Sequence, residues 1–185
     1  HAVMVNDKEI ELLAHSGVGV SHNPESNMKL ASGVAPLPEM LAAGVKVGLG
    51  TDGCASNNNL DIFQEMDTAA KIHKVHQGDP ALSSALQVAA MATNGGAAAL
   101  GMSPVLGSLE PGKKADLIII DLNQPHLTPM YDPCSHLVYA ARGADVRDVI
   151  IDGSIVMRER RLLEVDEQEV MAKVREIANL IRTRH

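Results

Sequence analysis

The stretch Val45-Lys46-Val47-Gly48-Leu49-Gly50-Thr51-Asp52-Gly53-Cys54-Ala55-Ser56-Asn57-Asn58 constrains this chain more than any other. Val45 to Leu49 reads as a short buried strand, and it runs straight into a polar turn with a carboxylate, Asp52, at its tip. Gly50, Gly53 and the consecutive Asn57 and Asn58 let the backbone bend tightly and approach a ligand closely. In barrels of alternating strands and helices the chemistry sits at the C-terminal strand ends, where Asp52 falls. An ordinary strand-to-helix turn, with Asp52 as a cap, fits the same residues.

The segments before it repeat the alternation. His1 to Val5 reads as the end of a strand; Asn6-Asp7 then caps a helix with Ile10, Leu12 and Leu13 on its apolar side, ending at Gly17. Val18-Gly19-Val20 is a short strand, Ser21 to Asn27 a polar loop that Met28 to Gly33 continue, and Pro36 to Ala43 a helix closed by Gly44. Strand-helix-strand order of this kind predicts parallel strands with helical crossovers. Leu60 to Gln77 is an amphipathic helix with Phe63, Met66 and Ala70 along one side, and Leu82 to Thr93 another with Leu86, Ala89 and Ala90 inward. Asn94-Gly95-Gly96 breaks it, leaving Ala97 to Leu100 as a last helical turn.

The character then changes. Gly107 to Asp116 is turn-rich, Leu117 to Leu122 a β-branched strand, and Leu137 to Ala140 a strand or a short helix. Val146 to Ile151, the Asp152-Gly153 turn and Ser154 to Met157 predict a hairpin, to which Leu162-Leu163 adds a short strand. Asp166 to Arg182 is a closing helix, with Asp166 and Glu169 as a capping box and Val170, Val174, Ile177 and Ile181 as its stripe. The expected organisation is an α/β region over 1–106, a small β region over 107–165 and a C-terminal helix over 166–185.

Composition narrows the function. A chain of 185 residues that is 45% hydrophobic buries a core, but with 2% aromatics and no Trp it offers no stacking platform for bases. A formal charge of −7 argues against a phosphate-backbone partner, so no nucleic-acid partner is expected. Cys54 and Cys134 lie far apart and form no disulfide framework, which fits a reducing, cytoplasmic setting. No apolar run approaches about 18 residues, so no membrane partner is expected either. Nucleotide-cradling GxxxxGK[ST] and GxGxxG patterns do not occur. The opening His-Ala-Val-Met-Val looks like a strand cut open and suggests a piece of a longer chain, with a tag remnant or a processed terminus as the alternative.

The candidate chemical groups fall at successive strand ends: His1, then His22 after Val20, then Asp52 after Leu49. In a barrel these converge, and His and Asp are the ligands a hydrolytic zinc or iron site needs. Singly, each His also reads as an ordinary core or loop residue. His73 and His76, three apart on a helix, either share a metal or lie on a solvated face. Cys54 has no base paired with it and reads as a small packing residue. Glu25 caps a helix or faces the pocket, and Lys113 and Lys114 are turn charges. His15, His126, His136 and His185 have no supporting context.

Ser21-His22-Asn23-Pro24-Glu25-Ser26-Asn27-Met28-Lys29-Leu30, followed by Gly48 to Asn58, closely resembles the amidohydrolase superfamily, on the branch of the 5-methylthioadenosine/S-adenosylhomocysteine deaminases with triazine chlorohydrolases nearby. Gly107 to Leu122 looks like that family's return from its barrel to a small β-sandwich domain. The resemblance implies the C-terminal part of a (β/α)8 TIM-type barrel, part of the β-sandwich, and one divalent metal, zinc with iron or manganese as alternatives. The family's metal ligands are an HxH pair, a further His and an Asp. Asp52 matches that Asp, which implies metal binding and general acid–base catalysis. His1 matches the sixth-strand His that contacts the metal-bound water, and His22 matches the seventh-strand His of the SHNP motif, a pocket-lining, substrate-binding role. The implied substrate is a small-molecule nucleoside, with a guanine-like or chlorotriazine heterocycle as the alternative within the family. The HxH pair and the further His have no counterpart here, so the chain alone is expected not to turn over substrate and to need the missing N-terminal half. A homo-oligomer is expected. A reading of a different class is a non-catalytic piece whose strand edge pairs with another chain.

Overall fold

The computed structural model describes residues 1–183; His185 lies outside them. Two sheets fall on either side of residue 107. The first is a parallel pair, β1 (Gly19–His22) and β2 (Lys46–Leu49), in register Val20 to Val47 and His22 to Leu49. Among the described residues each of these strands has a strand neighbour on one side only. The second is an antiparallel meander of β3 (Leu117–Ile120), β4 (Val146–Ile151), β5 (Ser154–Arg158) and β6 (Arg161–Leu162). Asp152 and Gly153 both take positive φ, 49° and 80°, which is what a two-residue hairpin turn needs and why Asp-Gly sits there.

Local chemistry sets the helix ends. α1 (Asp7–His15) starts at Asn6, whose side chain accepts from the Lys8 and Glu9 amides while Glu9 reaches back to the Asn6 amide. α2 (Pro24–Lys29) begins with proline at its first position, where the missing N–H costs nothing. α3 (Leu37–Ala42) buries Leu37 and Met40 completely, a contribution of about 1.5–3 kcal/mol each. α4 (Ile62–Gln77) is capped by Asp61 and closed by Gly78 in the left-handed conformation. α5 (Ala85–Met91) and α6 (Asn94–Ala99) follow, and α6 lies against both strands of the parallel pair. α7 (Pro133–Tyr139), capped by Asp132, packs on α4 and α5, so that Leu127 and Val138 join one core with Ile10, Val20, Met40, Val47, Met66 and Val88. α8 (Glu167–Arg182) closes the chain with no buried residue.

Several expectations change. Residues 1–5 form no strand: Ala2 has φ 50° and turns the chain, so Val3 and Val5 reach the core through side chains alone. Residues 24–29 are helical, not loop. Asn94-Gly95-Gly96 opens α6 instead of breaking a helix, because the glycines are where α6 meets the sheet. Residues 137–139 belong to helix α7. Leu12 and Leu86 point outward at 65% and 69% exposure, the core positions being Ile10, Val88 and Met91. Asp166 caps α8 through the Gln168 and Glu169 amides, but its apolar stripe is exposed. Among the described residues no helix is long and apolar enough to cross a membrane.

Candidate active site

β1 and β2 end side by side, tied where the Gly50 amide donates to the His22 carbonyl (3.0 Å). A Cβ on Gly50 would lie 2.4 Å from Ser21 Oγ, so any side chain here pushes Ser21 aside. Just beyond, Asp52 stands in the left-handed region with φ 60°. With the Asn23 amide oriented to satisfy both of its ends, its nitrogen donates to Ser21 and its oxygen accepts from the Asp52 amide at 2.8 Å. The Asp52 side chain, about a third exposed, is gripped at one oxygen: the hydroxyls of Ser26 and Ser56 each donate to Oδ2 at 2.7 Å. Ser26, then Ser56 and the Gly53 amide, hold the Asp52 carboxyl below its ordinary value.

His1 reaches the same carboxylate. Its Nε2 lies 3.6 Å from Asp52 Oδ2, and its Nδ1 faces Asn27 Oδ1 at 2.7 Å, where Nδ1–H donates. α2 therefore serves both groups, Asp52 through Ser26 and His1 through Asn27. Beneath them lies Glu65 of α4, fully buried, accepting from Asn57 Nδ2 (2.6 Å) and from the Glu25 amide (3.2 Å). Burial, with the Glu25 carboxylate nearby, pushes Glu65 up to about 7.

His22 is placed differently from a pocket-lining residue in this chain. It is 1% exposed, and its Nε2 meets His73 Nε2 at 3.0 Å, one ring donating and the other accepting. Burial, and then the neighbouring imidazole, lower His22 to about 3; burial and then His76 lower His73 to about 4. Strand alternation explains the direction, because His22 lies two residues after buried Val20 and shares its face. His73 is thus inside while His76 is exposed, so the two neither share a metal nor share a solvated face. Glu25 turns its carboxylate toward Asn59 Nδ2 (3.2 Å) and Thr68 Oγ1 (3.1 Å), and Cys54 is exposed instead of packed. Lys114 pairs with Asp152 across its turn at 2.8 Å.

Among the described residues no group of three or more His, Cys, Asp and Glu side chains is gathered as a metal site. Asp52 fits as one ligand of such a site, ionised and exposed, and the chain by itself does not fit a complete one. A groove of about 310 Å³ beside the site is lined by Glu25, Met28, Lys29, Asn57, Asn58, Asn59 and Thr68; Asp52 and His1 are not part of it.

The Amidohydrolase family model matches residues 1–156. This chain belongs to the amidohydrolase family. The 5-methylthioadenosine/S-adenosylhomocysteine deaminase of Syntrophobacter fumaroxidans is 57% identical to it over 182 residues, 98% of this chain and 42% of that protein. The 5'-deoxyadenosine deaminase of Methanosarcina acetivorans is 54% identical over 178 residues, 96% of this chain and 41% of that protein. Among solved structures, a zinc-bound adenosine deaminase from Xanthomonas campestris superposes with a TM-score of 0.96 at 42% identity, covering 99% of this chain and 42% of that one. The zinc complex of the atrazine chlorohydrolase TrzN from Arthrobacter aurescens TC1 gives 0.85 at 31%, covering 94% and 38%. The amidohydrolase chain described here thus spans about two fifths of its relatives' length, and its fold is the corresponding part of the α/β amidohydrolase domain.

Sequence reasoning missed Ser26, Asn27, Ser56, Asn57 and Glu65. Pro24 was the available signal for the first two, since a proline at a first helical position predicts the helix that carries them. Glu65 announces itself as a carboxylate on the apolar face of α4, beside Met66 and one turn before Ala69.

Proposed function

We propose that this chain forms one side of the active site of a metal-dependent hydrolase that deaminates an adenosine-type nucleoside, 5-methylthioadenosine and S-adenosylhomocysteine being the first substrates to test. The observation that carries the reading is the Asp52–His1 pair at the end of β2, with Asp52 Oδ2 gripped by two hydroxyls. Support for the substrate class comes from relatives named as deaminases at 57% and 54% identity, against 31% for the chlorohydrolase.

In this reading Asp52 is one ligand of a divalent metal, zinc as in the Xanthomonas campestris structure, and the others lie in the part of the relatives that this chain does not span. The metal supplies Lewis-acid activation of the attacking water. Asp52, ionised because its hydroxyl partners favour the charged form, takes a proton from that water as it adds to the ring carbon bearing the amino group. It then returns a proton to the nitrogen that leaves as ammonia. His1, held at Nδ1 by Asn27 with its Nε2 beside Asp52, stabilises the charge that builds on the attacking oxygen.

The test uses the complete enzyme, loaded with zinc and assayed on methylthioadenosine, S-adenosylhomocysteine, guanine and a chlorotriazine. Asp52→Asn is expected to lower the rate on the adenosine-type substrates by about 10²- to 10⁴-fold. Near-normal turnover by that variant, or a wild-type preference for guanine or the triazine, sinks the reading.

A further inference from the structure

We propose that Glu65 is a positioning residue for Asp52, acting through two arms that each end in a serine hydroxyl on the Asp52 carboxylate; this rests on the reading of Asp52 given above. Glu65 Oε2 accepts from the Glu25 amide at 3.2 Å, and the next residue, Ser26, donates its hydroxyl to Asp52 Oδ2. Glu65 Oε1 accepts from Asn57 Nδ2 at 2.6 Å, and the preceding residue, Ser56, donates its hydroxyl to the same Oδ2. One carboxylate in α4 therefore fixes two separate segments, the start of α2 and the loop after β2, at positions adjacent to the two serines.

Neither arm has slack. Ser26 and Asn57 are 1% and 4% exposed, and the Ser56 and Asn57 amides both donate to the Gly53 carbonyl, at 3.1 and 2.8 Å. Both Glu65 oxygens face N–H donors, a pattern that the ionised carboxylate satisfies and an amide does not: glutamine presents an N–H to one of them. Keeping a fully buried carboxylate here carries a desolvation cost that an apolar side chain avoids. What that cost maintains is a pair of acceptors at a fixed spacing.

Two measurements on the complete enzyme test this. By hydrogen exchange, without metal, Glu65→Gln speeds the Ser56 and Asn57 amides about tenfold while those of the β1–β2 ladder keep their rates. A uniform acceleration of both sets overturns the proposal, since Glu65 then contributes only to global stability. In the zinc-loaded enzyme Glu65→Gln lowers kcat about tenfold with KM unchanged. The loss disappears in a Ser26→Ala/Ser56→Ala background, where the arms no longer end on Asp52; additive losses overturn the proposal.

Asp52→Asn is run alongside. If it keeps the wild-type rate, the active-site reading falls and the role of Glu65 with it. If it is inactive while Glu65→Gln has wild-type kcat, the positioning role alone falls. Should Glu65→Gln fail to fold, Asn57→Ala cuts the Ser56 arm by itself, and an unchanged Ser56 exchange rate in that variant overturns the proposal.

Discussion

At the scale of single residues, the proposed chemistry depends on what holds Asp52 as much as on Asp52 itself. The Ser26 hydroxyl is the first cause of its lowered pKa, so Ser26→Ala is expected to raise that pKa toward the ordinary carboxylate value, read from the carboxyl ¹³C shift against pH. The sign follows from linkage: a depressed folded pKa contributes stability above the unfolded value and loses it as pH falls, so the variant is less sensitive to acid at this site. Asp52 was legible in the sequence as a group at a strand end, and His1 comes to it although no strand carries His1. Their supports were not, because Glu65 lies 40 positions from Glu25 and His73 lies 51 from His22, and no local periodicity encodes a pairing at that distance. The direction of His22 was legible and was missed, since alternation with Val20 already turns it inward.

Between elements, the tightest contact is that of α6 with the parallel strands. A Cβ on Gly48 would stand 2.7 Å from Gly96 Cα, and one on Gly95 would stand 2.8 Å from the Val47 carbonyl oxygen. Backbone meets backbone here, with no flexible side chain to move aside. Gly48→Ala is therefore expected to destabilise the fold by about 1–3 kcal/mol in a denaturant titration; wild-type stability would mean that α6 shifts freely. Read in one dimension, Asn94-Gly95-Gly96 is a helix breaker, and only the packing reveals why a helix accepts two glycines. The parallel pairing of β1 with β2, the hairpin and the long helix α4 were legible, because strand-helix alternation, the Asp-Gly turn and the Phe63–Met66–Ala70 stripe are local patterns.

For the molecule as a whole, the buried groups His22, His73 and Glu65 shape its response to acid between pH 4.5 and 6.5. The imidazoles of His22 and His73 fall from 6.5 to about 3 and about 4, which contributes stability above pH 6.5 that is lost as pH falls. Glu65 rises from 4.5 to about 7, which contributes stability below pH 4.5 that is lost as pH rises. Between those values unfolding takes up two protons on the imidazoles and releases one from Glu65, a net uptake of one. The histidines prevail, and stability is expected to rise with pH by roughly 1 kcal/mol per unit across the window. Glu65→Gln removes the opposing group and is expected to about double the slope, measurable by urea titrations near pH 5 and pH 6. One element stands outside this balance. α8 spans 16 residues without burying any of them, and a helix of that length in water is marginal when nothing packs on it. In the 185-residue chain its unfolding is expected as a separate, low-energy event, so a protease that cuts within 167–182 is expected to remove a tail while the residues around Asp52 keep their protection.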